Sequence, residues 1–210
     1  MKIKRFNEFL NENAIFEKAV SADEVLLNEP YSAVIKTVTK KPTKEYLKLI
    51  LYNFKEKKVE GYIALEKFKT DSEFMINRSY AIDKHGPLMY NLALSVVSPA
   101  GIIPDRLIRP AAQKVWMYFD SQRPDVKKTT MKPKHIWFAK KYDIDIEHEN
   151  LKDPEILKLI NKIYSVDAPL KGTNELIKKG ETLMAEYKVK PIDVIKKADD
   201  DFQTRYNAEM

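Results

Sequence analysis

The chain has no cysteine, which excludes disulfides, thiolate metal ligands and a cysteine nucleophile. Glycine is scarce, with 5 in 210 residues, so collagen-like and glycine-rich linker architectures are excluded. No apolar run approaches the roughly 20 residues that a membrane-spanning helix needs, so no membrane is expected as a partner. The three histidines, His85, His135 and His148, lie far apart and form no i, i+4 pair, so no metal is expected. Neither a Gly-x-Ser-x-Gly elbow nor a phosphate loop of the Lys-Ser/Thr kind is present. Asp143, Asp145, Glu147 and Glu149 alternate, but the glycine and spacing of an EF-hand loop are missing.

What remains is ample for a core. Hydrophobic residues make up 44% and charged residues 32%, the balance of a globular chain and not of a disordered one. The length suits one compact domain with a helical extension. The net charge of +6 is unevenly spread. Acids and bases balance beyond Asn150, whereas Lys40–Lys58 and Arg123–Lys141 are strongly basic. Such faces attract polyanions in a salt-dependent way, and equally serve as solubilising surface. Within the second stretch Lys132, Lys134, Trp137 and Lys140 interleave bases with an aromatic. That pattern suits single-stranded nucleic acid, with rings stacking on bases and ammoniums meeting phosphates. Trp137 and Phe138 are adjacent and point to opposite faces of a strand, so one of them belongs to the core.

Hydrophobic patterning predicts a helix over Ile15–Leu27 and strands over Tyr31–Thr39, Tyr46–Phe54, Val59–Phe68 and Phe74–Ile82. A helix over Pro87–Val97 follows, with Gly86-Pro87 as its start signal. Gly101–Pro104 is extended, Pro110–Asp120 is a second proline-led helix, and Ile136–Ala139 is a last extended segment. Pro154–Tyr164, Thr173–Tyr187 and Pro191–Tyr206 read as helices. The expected class is α/β (α+β): a mixed, mostly antiparallel sheet flanked by helices, with a C-terminal helical extension. Residues 1–12 form a peptide, 13–149 the core and 150–210 the extension.

At the N-terminus, Ile3, Phe6, Phe9 and Leu10 fall at helical spacing among charges. Met1-Lys2, Phe6, Glu8-Phe9-Leu10 and the Leu10-Asn11-Glu12 motif resemble the capsid-targeting peptide of internal head proteins of large tailed bacteriophages. The resemblance covers about twelve residues. An ordinary amphipathic helix fits the same residues. The resemblance implies cleavage before Asn13, partners among prohead or capsid components, and a location in the virion interior and host cytoplasm.

The order of elements from Tyr31 to Phe138 resembles the GNAT acyltransferase superfamily. Val59–Leu65 is similar to its central strand, and Asp83–Leu88 stands where that family has its pyrophosphate loop. Arg109–Ala112 with Val115–Phe119 stands at its Asn-x-x-Ala-x-x-x-Tyr helix. The resemblance implies acyl transfer from acetyl-CoA or another acyl-CoA to an amine, with Lys84, His85, Gly86 and Leu88 at the cofactor. It implies Glu60 (or Glu66) as the base, and Tyr118 or Tyr90 as the phenol that protonates the leaving thiolate. The chain departs from the pattern in three places. Leu88 replaces a small residue, Pro87 offers no N–H, and Trp116 stands at the family's tyrosine. Tyr118 lies two residues on, about 200° round the helix. The alternative is a non-catalytic virion protein that binds nucleic acid, a host factor or capsid components.

Overall fold

The computed structural model describes residues 22–82, 85–105, 108–132 and 153–208. The short helix α1 (Ala22–Asn28) leads into a meander of four strands: β1 (Ser32–Lys40), β2 (Lys44–Asn53), β3 (Lys58–Phe68) and β4 (Phe74–Ala81). Helix α2 (Gly86–Val97), strand β5 (Ile102–Ile103), helix α3 (Pro110–Gln122) and strand β6 (Lys127–Thr130) follow. Then come α4 (Pro154–Ile160), β7 (Lys162–Ser165), α5 (Thr173–Glu186) and α6 (Pro191–Ala208). The strands form one seven-stranded sheet in the order β1-β2-β3-β4-β5-β7-β6. Only the β4–β5 pair is parallel among the described strands. The fold is therefore the mixed, mostly antiparallel α+β class that the patterning predicts, ending in two helices.

Two elements differ from the sequence reading. The helix expected over Pro154–Tyr164 stops at Ile160, and Lys162–Ser165 pairs with β6 and, at Tyr164, with β5. β-Branched Ile163 and aromatic Tyr164 suit a pleated, buried surface better than a final helical turn. As a result, part of the stretch beyond residue 150 enters the sheet. β6 had no apolar signal, because all four of its side chains are exposed. The extended segment at Ile136–Ala139, and residues 1–21 with the targeting-like peptide, lie outside the described residues.

β3 lies inside the sheet between β2 and β4, and its residues Val59 to Glu66 are buried without interruption. A continuous buried run means that both faces of the sheet are covered. Gly61 faces Met89 of α2, while the next residue, Tyr62, donates a hydrogen bond of 2.6 Å to Asp199 of α6. Neighbours on a strand point to opposite faces, so α2 and α6 cover opposite sides. On the α2 side, α5 lies across β1 close enough for Gly180 to touch the Val34 backbone. Trp116 of α3 is wholly buried against Tyr90 of α2 and Tyr164 of β7, with ring centroids at 5.2 and 4.6 Å.

On the other side, Asp199 gathers three elements. It accepts from Lys48 at 2.7 Å and from Tyr62, and Arg78 lies 3.6 Å away. Burial pushes the Asp199 carboxyl up, but the hydrogen bonds and charges of Lys48, Tyr62 and Arg78 outweigh it and leave the group below its usual 3.8. A depressed carboxylate contributes stability above the unfolded value, and that contribution is lost as pH falls through the folded value. Urea midpoints of the wild type and Asp199→Asn should therefore differ at pH 7 and converge below about pH 4. A gap of constant size down to acid pH would show that the carboxylate's charge is irrelevant to the cluster.

Candidate functional site

A cavity of about 380 Å³ opens where β1 and β3 begin and β2 and β4 end, beside the start of α2. It is lined by Glu29, Pro30, Tyr31, Asn53, Glu56, Lys58, Glu60, Ile82 and His85. Local sequence explains each contribution. The Asn28-Glu29-Pro30 break ends α1 and sets Glu29 on the turn before β1, where its carbonyl accepts from the Ser32 N–H at 3.0 Å. In the β2–β3 hairpin, Asn53 Oδ1 accepts from the Glu56 N–H at 2.9 Å. That bond fixes the amide of Asn53, whose Nδ2 donates to Glu60 Oε1 at 3.2 Å.

Glu60 owes its position to a β-bulge. Leu51 pairs with Gly61 and Tyr52 with Val59, so Glu60 is the extra residue of β3. A bulge re-aims the side chain it carries. Here it turns a carboxylate that is only 8% exposed into the cavity wall. Ser32 Oγ, itself fully buried, donates to Glu60 Oε2 at 2.7 Å. The Glu60 carbonyl accepts from the Ile82 N–H, and the Ile82 carbonyl accepts from the His85 N–H at 3.0 Å. This short backbone relay sets His85, the residue that caps α2, opposite Glu60. His85 Nε2 lies 3.9 Å from Glu29 Oε1, and donor atoms of Glu29, Glu60 and His85 all lie within 4.8 Å of one another.

Two of the expected site residues, Glu60 and His85, are thus brought together, with Glu29 as a third group. Nothing in the sequence marked Glu29, which only the fold brings to β3 and α2. Gly86 follows His85, and a Cβ placed there would meet nothing within 4 Å. Leu88 points into the core and is 1% exposed, so its side chain offers nothing to a ligand. Lys84, Lys134, Trp137 and Lys140 lie outside the described residues; Lys132 is exposed just beyond β6. The alternative base, Glu66, is buried in an ion pair with Lys44 at 3.1 Å.

The two phenols sit elsewhere. Tyr90 is buried, and its hydroxyl shares a 2.9 Å hydrogen bond with Ser79 of β4. Burial pushes that hydroxyl up to about 12, against a smaller downward pull from Ser79. Tyr118 is buried on α3 with its ring beside Phe119. Neither lines the cavity.

Two further features bear on chemistry. β4 and β5 pair through Phe74–Ile102 and Met75–Ile103, which is the whole length of the two-residue β5. The cavity wall carries Glu29, Glu56 and Glu60 against Lys58 and His85, so it favours a cation over an anion. No protein-family model, curated protein or solved structure matches the chain.

Proposed function

We propose that the chain is a GNAT-like acyltransferase that moves an acyl group from acyl-CoA to an amine, and that its N-terminal peptide carries it into a phage virion. The single observation behind this reading is that β5 ends after two residues while β4 runs on. Among the described residues, no strand pairs with β4 beyond Met75 on that side. Backbone amides need partners, and the two amides of a pantetheine arm can supply them as an added strand would. Helix α2 leaves the far end of β4, where its unpaired first-turn amides favour an anion.

In this reading the amine enters the carboxylate cavity as an ammonium. Glu60, oriented by Ser32 and Asn53, takes its proton. The freed nitrogen attacks the thioester carbonyl and the C–S bond breaks; the nitrogen sheds its extra proton to solvent as the amide forms, and the thiolate takes a proton from a phenol that solvent reprotonates. Tyr90 is the better phenol for that last step, because its hydroxyl reaches Ser79 on the stretch of β4 beyond its pairing with β5.

Calorimetry with acetyl-CoA tests it. Gly86→Glu is the informative variant, since open space surrounds that position and an acid in the first helical turn does no harm to the helix. The wild type is expected to bind, and Gly86→Glu to bind at least about tenfold more weakly by repulsion of the diphosphate. No heat from the wild type at millimolar acetyl-CoA would end the transferase reading. A second reading is favoured by the three glutamates beside the α2 start, which would repel a diphosphate placed there. In it the fold serves a non-catalytic virion protein that binds nucleic acid, a host factor or capsid components.

A further inference from the structure

We propose that Glu29, Glu60 and His85 form a binding site for a divalent transition-metal ion of the zinc type. The inference stands apart from the acyltransferase reading and needs no acyl-CoA. Its ground is the combination of a mixed ligand set, a cavity and a prearranged buried carboxylate. Glu60 is only 8% exposed, and its two hydrogen-bond partners, Ser32 and Asn53, are neutral. A carboxylate buried without a cation is costly, and a divalent ion beside it removes that cost. An ionised carboxylate has about four acceptor sites, so two remain after Ser32 and Asn53 have taken theirs. Two carboxylates and one ion of charge +2 also make the cluster neutral.

The geometry suits such an ion. The three donor atoms lie within 4.8 Å of one another. Ligands at about 2.0–2.2 Å from zinc sit roughly 3–3.5 Å apart, so the site closes by small side-chain rotations. Glu29 and His85 are partly exposed and free to make them, while Glu60 is held. Ser32 and Asn53 orient Glu60 in the way that outer partners orient metal-bound carboxylates. The imidazole selects for zinc-like ions over Ca²⁺ and Mg²⁺, which prefer oxygen alone. Three protein ligands leave a coordination position open, and the cavity of about 380 Å³ has room for water and a small ligand there.

Calorimetric titration of the full chain with Zn²⁺, in buffer containing Mg²⁺, tests the site. His85→Ala, Glu29→Gln and the double variant His135→Ala/His148→Ala are titrated alongside, with circular dichroism to check folding. One Zn²⁺ per chain is expected. Binding should weaken at least about tenfold in His85→Ala and in Glu29→Gln, and stay unchanged in the double variant. Glu29 stands on a partly exposed turn, so its variant reports on binding even if His85→Ala unfolds. The proposal is overturned if the wild type takes up no Zn²⁺. It is equally overturned if uptake survives Glu29→Gln and His85→Ala, or vanishes in the double variant.

Discussion

Gly180→Ala is expected to lower the thermal midpoint of the full chain by at least about 4–8 °C. A Cβ at this position would strike the Val34 carbonyl oxygen and lie 2.9 Å from its carbon. Both atoms belong to the backbone of β1, where Ser32–Ile35 are buried, so neither can step aside alone. Overpacking of this kind costs about 3 kcal/mol. Alanine's better helix propensity returns about 1 kcal/mol, leaving a net loss of about 2 kcal/mol. For a chain of this size each kcal/mol is worth about 2–4 °C. Gly61→Ala is the control. There the Cβ would meet Met89 Cγ and Sδ at 2.7 Å, and these belong to a flexible side chain that can rotate away. A smaller loss at Gly61 than at Gly180 is expected in calorimetric scans. An unchanged midpoint for Gly180→Ala would show that α5 does not lie against β1 this closely.

The other large effect belongs to Trp116. Its indole is wholly buried between Tyr90, Phe119 and Tyr164, tying α2, α3 and β7 into one aromatic cluster. Trp116→Ala should cost about 3–5 kcal/mol through the cavity it leaves. Trp116→Phe should cost far less. It keeps a ring, and it removes an indole N–H that is buried without a hydrogen-bond partner. Urea denaturation of the two variants separates volume from polarity. Equal losses would mean that a phenyl ring cannot stand in for the indole, so that the fit of the full indole shape holds the cluster.

Much of the fold can be read from local pattern. The four meander strands and the helices from Pro87, Pro110, Thr173 and Pro191 fall within a few residues of their expected limits. Each carries strong punctuation: Pro at helix starts, or charged turns between apolar runs. β6 and β7 escaped because they are short and gain their identity from neighbours. Lys127–Thr130 has no apolar face at all, and Ile163-Tyr164 continues the apolar pattern of the helix before it. The site was half legible. Glu60 and His85 stood out as chemistry-bearing residues near a strand and a helix start. Their union with Glu29 depends on the bulge at Glu60 and on the turn after α1 that brings Glu29 to the same cavity, which no local signal encodes. Histidines isolated in sequence therefore gave no hint of a shared ligand set.

The seating of α5 on β1 also governs the birth of the molecule. Residues 32–40 leave the ribosome long before residues 173–186, which must cover them. At about 5–20 residues per second, the interval is about 7–30 s. Throughout it the nascent meander can pair its strands but lacks the helix that seats on Val34. A ribosome stall before Thr173 would leave that face of β1 without its helix, and the sheet prone to aggregation.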